Sequence, residues 1–202
     1  MHKRVVLFLG LFVAGSMVLA HASGNAAAGK TKSVACQACH GTDGNSVNPA
    51  YPKLAGQSAG YLVKQLTDFK DGKRTNPIMS GMAASLSPQD REDIAAYFSS
   101  QKPAPGVTKA NPETLKLGQR LFRGGNRKFG ISACMSCHGP AGAGIPPRFP
   151  RLAGQHAAYV EAQLLAFKNG QRTNDDHIMQ SIAFRMSVAQ IDAVAQYIQG
   201  LH

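Results

Sequence analysis

The chain has 202 residues, 44% of them hydrophobic, and carries 22 Lys and Arg against 11 Asp and Glu, a formal net charge of +11. An excess of this size favours an acidic partner or an anionic surface. No basic stripe is interleaved with aromatics and no nucleic-acid-binding motif occurs, so nucleic acid is not an expected partner.

Residues 1–22 read as a signal peptide. His2, Lys3 and Arg4 give a basic start, an uncharged run follows from Val5 to Leu19, and Ala20-His21-Ala22 offers small residues where a signal peptidase reads. A retained anchor is the alternative. It needs about twenty apolar residues, and this run is shorter and broken by Gly10 and Gly15. Cleavage after Ala22 delivers the chain to the periplasm, where paired cysteines become disulfides unless something else consumes them.

The first candidate site follows at Cys36-Gln-Ala-Cys39-His40, and the same pattern returns at Cys134-Met-Ser-Cys137-His138, which accounts for all four cysteines. Two thiols three residues apart on one helical turn can each add to a vinyl group of one haem. The adjacent histidine is then carried to the iron. A zinc site is a rival, but three ligands in each of two separate domains leave both metals open. A thioredoxin-like dithiol is another, and its βαβ pattern is missing.

Further along, Tyr61, Leu62, Gln65, Leu66 and Phe69 share one helix face. Ser87-Pro88-Gln89-Asp90 supplies an N-cap, a proline at the first helical position and an acid in the first turn. From Gln101 to Pro112 the chain holds Pro103, Pro105, Gly106 and Pro112 and reads as a linker. Beyond it, Asn111-Pro112-Glu113 opens a helix with Leu117, Leu121 and Phe122, and the first half is written again.

At an offset of 98, Tyr51-Pro52-Lys53-Leu54-Ala55-Gly56-Gln57 falls on Phe149-Pro150-Arg151-Leu152-Ala153-Gly154-Gln155, and Arg74-Thr75-Asn76 falls on Arg172-Thr173-Asn174. Two extra residues near Asp175 and Asp176 shift the offset to 100, pairing Met79 with Met179 and Ser87 with Ser187. The helix faces repeat at Tyr159 to Phe167 and after Ser187. No segment alternates with a strand's period of two. The expectation is an all-α protein of two tandem domains, residues 23–105 and 106–202, each a few short helices around a large apolar cofactor.

The second axial ligand decides what such a haem does. After the signal, His40 is the only histidine of the first half. Met79 and Met179 are the one methionine position present in both halves, whereas Met82 falls on Ile182 and Met186 on Leu86. His177 stands two residues before Met179 and competes with it, while His156 pairs with Ser58 and reads as a surface residue. Histidine–methionine ligation raises the reduction potential and leaves no open position, which suits electron transfer rather than peroxide or oxygen chemistry. The carbonyls of Pro52 and Pro150, each twelve residues after the histidine, are candidates to fix the imidazoles. Arg74, Arg172, Tyr61, Tyr159, Gln57 and Gln155 are candidates for haem propionates, with plain surface roles as the alternative.

The two C-x-x-C-H motifs, the repeated P-K/R-L-A-G-Q, the R-T-N before each methionine and the ending Tyr197-Ile198-Gln199-Gly200-Leu201-His202 resemble the cytochrome c4 family over the whole mature chain. The resemblance implies two all-α cytochrome c domains packed about a pseudo-twofold axis, with two covalently bound haem c groups. It implies thioethers from Cys36, Cys39, Cys134 and Cys137, and axial ligands His40 with Met79 and His138 with Met179. It further implies a periplasmic electron carrier, not an enzyme, serving a respiratory donor and terminal oxidase, with peripheral membrane association and no small-molecule substrate; the acidic partner surfaces are expected from the chain's own positive charge. The cytochrome subunit of a flavin-containing sulfide dehydrogenase and a dihaem peroxidase are the alternatives. The chain departs from the family's dipolar members in being basic in both halves.

Overall fold

The structure, a computed structural model, describes residues 24–202, and the expected signal peptide lies outside the described residues. The first half consists of α1 (Ala26–Lys32), α2 (Val34–His40), α3 (Ala59–Lys70), α4 (Pro77–Ala84) and α5 (Pro88–Ser99). The second repeats this order as α6 (Pro112–Gly124), α7 (Met135–His138), α8 (Ala157–Lys168), α9 (Ile178–Ala183) and α10 (Val188–Gln199), with an added 3-10 turn at Arg127–Phe129. Residues 101–111 connect them without a helix. Among the described residues the only β pairing is two isolated bridges, Asn126 with Ile131 and Ile145 with Phe149. No described helix is long and apolar enough to cross a membrane.

The helix signals act where the residues stand. Ser87 and Asp90 form a reciprocal capping box at the start of α5, with Pro88 at its first position. Ser187 and Gln190 build the same box on α10. In each half the first and last helices cross, α1 on α5 and α6 on α10. The crossing is close because each carries a glycine at its centre. A Cβ on Gly29 would lie 1.9 Å from the Asp93 carbonyl oxygen, and one on Gly118 would lie 2.1 Å from that of Ala193.

Each half buries its own apolar cluster. Leu62, Ile94, Ala95, Tyr97 and Phe98 form the first. The second is larger and runs through Leu121, Phe122, Leu164, Phe167, Ile191 and Val194. Neither cluster closes over its cysteines. Both half-cores stop at the wall of a cavity.

The second half is not a plain copy. Fifteen residues separate Gly118 from Cys134, where six separate Gly29 from Cys36. The difference appears as a longer first helix and a loop held by the Asn126–Ile131 bridge.

Candidate functional site

A single cavity of about 1060 Å³ runs between the halves. Its walls are largely apolar, with Leu62, Phe69, Ile94 and Phe98 on one side and Leu164, Phe167, Val194 and Ile198 on the other. Cys36, Cys39 and His40 reach it from α2, and Cys134, Cys137 and His138 reach it at α7. None of the four thiols is in a disulfide.

Both histidines are buried, 5% and 6% exposed. Their Nδ1 atoms lie 2.9 Å from the carbonyl oxygens of Pro52 and Pro150, the acceptors expected from the spacing. A carbonyl only accepts, so Nδ1 carries the proton and Nε2 keeps a lone pair. Burial also lowers both imidazole pKa values, against a smaller opposing effect of the proline carbonyls. Each ring is thus neutral and held in the tautomer that presents Nε2 to a metal.

Burial pushes the Cys36 thiol up, and the Cys134 thiol up to about 11. A redox dithiol needs the opposite shift. Among the described residues, no three His, Cys, Asp or Glu side chains come together as a metal site. Two thiols and one oriented imidazole on the wall of an apolar slot fit one haem c per half.

The methionines line the same cavity. Met79 lies on α4, whose N-cap Asn76 accepts hydrogen bonds from the backbone N–H groups of Ile78 at 3.1 Å and of Met79 at 3.0 Å. Met179 lies on α9, where Asp175 takes over that role by accepting from the Met179 and Gln180 N–H groups. Both methionines face the cavity, as do Met82 and Met186. His177, the expected competitor, is exposed, stands at the N-cap of α9 with φ 61°, and does not line the cavity.

The polar candidates meet across the middle. Arg74 donates to Gln65 Oε1 of its own half at 2.7 Å, and to Tyr159 OH at 3.0 Å and Gln163 Oε1 at 2.7 Å of the other. Arg172 mirrors it on Gln163, Tyr61 and Gln65 at 2.8, 3.1 and 3.0 Å. Burial alone would raise the Tyr159 pKa, but the Arg74 and Arg172 guanidiniums bring it below the usual phenol range. Gln57 and Gln155 are not solitary ligands. Gln57 holds both the N–H and the carbonyl of Arg151, at 2.9 and 3.0 Å, while Gln155 holds both of Lys53 at 2.9 Å. This exchange explains why the P-K/R-L-A-G-Q stretch occurs twice: each copy clamps the other.

Two residues of the second half make contacts across the join that have no twin. Asn174, released from capping by the Asp175 insertion, reaches Gln65 Oε1 at 3.1 Å and Asp68 Oδ2 at 2.5 Å in the first half. His156 is not a free surface residue, because its Nε2–H donates to the Ser46 carbonyl at 2.9 Å across the halves. Comparison with Ser58 hid this contact, since the duplication reports only what both halves share.

The fold and its two thiol-and-imidazole crevices define a dihaem c-type cytochrome. The family model described as Cytochrome c matches residues 26–102 and 115–202. The chain is 53% identical to cytochrome c4 of Pseudomonas aeruginosa over 206 residues, covering 100% of both. It superposes on the crystal structure of reduced recombinant cytochrome c4 from Pseudomonas stutzeri with a TM-score of 0.85 at 49% identity, covering 89% of this chain and 100% of that one. It is also 45% identical over 179 residues to a thiosulfate dehydrogenase electron acceptor of Thiomonas intermedia, covering 85% of this chain and 81% of that one. The chain belongs to the cytochrome c4 family.

Proposed function

We propose that His40 and Met79 ligate the first haem iron and His138 and Met179 the second, within domains 23–105 and 106–202. One observation carries the assignment: in each half a neutral imidazole with its Nδ1 proton fixed lines the same apolar cavity as the methionine position that both halves repeat. The haem supplies one-electron chemistry, and the protein supplies the rest. Proline carbonyls orient the imidazoles, side-chain caps fix the methionine helices, and the apolar walls exclude water. Haems held by these histidine and methionine pairs would offer no open position to a substrate, which supports reading the chain as a carrier and not an enzyme.

The carrier works in the periplasm, where residues 1–22 would direct it. Its acceptor is a respiratory terminal oxidase, reached through an acidic surface that complements the basic chain. A second reading replaces the donor: the relative from Thiomonas intermedia is named for accepting electrons from thiosulfate dehydrogenase, and at 45% identity this chain is a candidate for the same role. That reading is closer to the chain than a flavin-containing sulfide dehydrogenase or a dihaem peroxidase.

Replacing Met79 with Ala tests the assignment. The sulfur-to-iron charge-transfer band of one haem is lost and its potential falls by on the order of 0.1 V, within the roughly 0.8 V range that axial ligands command. Met179→Ala does the same to the other haem. Retention of both bands in either variant would sink the assignment, and a rapid spectral change of the unmutated protein with peroxide would favour the peroxidase.

A further inference from the structure

The second crevice has a rim that the first lacks. The inserted loop carries Arg127, Lys128 and Phe129, all exposed, and runs directly into Ser132, Ala133 and Cys134 of the cavity wall. A Cβ on Gly130 would lie 3.5 Å from the Arg185 side chain, which places that arginine over the loop. Beside it Phe184 is 72% exposed, between Ile182 and Met186 of the cavity wall. Lys168 donates to the Phe184 carbonyl at 2.9 Å and sits 5.6 Å from the ring centroid, while Lys128 sits 5.7 Å from the centroid of Phe129, itself 54% exposed.

No Asp or Glu occurs between Glu113 and Glu161, nor between Asp176 and Asp192. The patch is therefore positive without interruption along both segments. In the first half, Ala84 and Ser85 stand where the second has Phe184 and Arg185, and the loop is absent. Residues 106–202 hold 11 Lys and Arg against 5 Asp and Glu, a net +6, where residues 23–105 hold 9 against 6, a net +3.

We propose that this rim, built from Arg127, Lys128, Phe129, Phe184 and Arg185, is the docking surface for an acidic protein partner, and that electrons cross the molecular boundary at the second haem. The proposal rests on the carrier reading. Cations around an apolar centre are the complement of an acidic redox protein, because the charges steer the encounter and the exposed rings are buried once it is made. A protein is favoured over a lipid surface by position. The patch frames the crevice edge, where a partner's redox centre gains from being near and a bilayer gains nothing. A haem held by Cys134, Cys137 and His138 would supply the one electron that reduces the partner's centre, and would itself be oxidised by one.

The test uses the full dihaem protein, reduced, and oxidised plastocyanin as an acidic copper-protein probe, followed by stopped flow at low and high ionic strength. Arg127→Glu with Lys128→Glu is expected to lower the second-order rate constant about tenfold at low salt and to flatten its salt dependence. Phe129→Ser with Phe184→Ser lowers it less and leaves the salt dependence unchanged. Lys30→Glu with Lys73→Glu, exposed in the first half, changes it less than twofold. Equal losses in both halves, or none, would overturn the docking surface. So would a variant that loses binding to phosphatidylglycerol vesicles while reacting with plastocyanin at the unmutated rate. Each variant is first titrated optically: failure of either haem to cycle reversibly defeats the carrier reading, whereas two cycling haems with unaltered rates defeat only the docking site.

Discussion

The two halves hold the same group with the same motif but are built to different margins. In the first, the helix of the N-terminus is seven residues long and is tied down electrostatically: the buried Asp93 accepts from Lys32 Nζ at 2.6 Å, from Asn25 N–H at 2.8 Å and from Gln89 Nε2 at 2.9 Å. In the second, the matching helix has thirteen residues, and Ala193 stands where the first half has Asp93. Apolar packing replaces the ion pair. What both halves keep is the set of residues that must act twice: the attachment motif, the proline carbonyl, the methionine and the glutamine clamp. Divergence is confined to what each half needs alone, its terminal helix, its crevice rim and its side of the join.

The sharpest way to break this comparison is to remove one haem at a time. Cys36→Ala with Cys39→Ala is expected to leave one covalent haem per chain by mass spectrometry. The first half, with five buried apolar residues in its cluster, then lacks most of its core and unfolds. Cys134→Ala with Cys137→Ala also removes one haem. There the fifteen-residue cluster keeps α6 and α10 together, so their amides stay protected from hydrogen exchange. Equal loss of protection in the two variants would show that the margins do not differ.

A smaller effect separates the two arginines of the join. Arg172 is 8% exposed, makes the three bonds described above, two of them across the join, and adds Nε to Asn174 Oδ1 at 3.0 Å. Arg74 is half-buried and has no such fourth contact. Arg172→Met is expected to cost about 2–4 kcal/mol in urea unfolding and Arg74→Met about 1–2 kcal/mol, since each leaves buried acceptors without donors. Either change also moves the Tyr159 phenol up toward its ordinary range, which ultraviolet titration reads.

Much of this was legible in the residues, and the pattern of what was not has a physical cause. Ser87 and Ser187 announce their helices because a cap is a local bond, three residues long. The stripes from Tyr61 and Tyr159 announce theirs because a helix face is periodic. The His40–Pro52 and His138–Pro150 pairs were readable because the same twelve-residue spacing occurs twice. The roles of Gln57, Arg74 and Asn174 were not, since their partners lie 94, 85 and 106 residues away. Sequence placed Gln57 and Arg74 near the cofactors, gave Asn174 no role, and missed that all three bind the other half. The signal was there in the repeat itself, because a motif kept in both copies is what a twofold join requires.

The smallest expected effect concerns acid. The bond from Lys32 is the largest cause holding the Asp93 carboxylate at about 2, below its ordinary 3.8, with Asn25 and Gln89 assisting. A carboxylate whose folded pKa is depressed stabilises the fold above its unfolded pKa, and the contribution fades as pH falls from about 3.8 toward 2. The second half has no counterpart, so acid should loosen the first half earlier. Asp93→Asn removes the titrating group. At neutral pH the first half of that variant unfolds at lower denaturant, because Lys32 loses one of its two carboxylates and keeps only Asp90 at 2.7 Å. Between pH 4 and pH 2, however, its stability relative to the second half changes less than in the unmutated protein. Hydrogen exchange at α1 and α5 against α6 and α10 across that window measures the difference, and parallel acid profiles for the two halves of the unmutated chain would rule out the ion pair as the source of asymmetry.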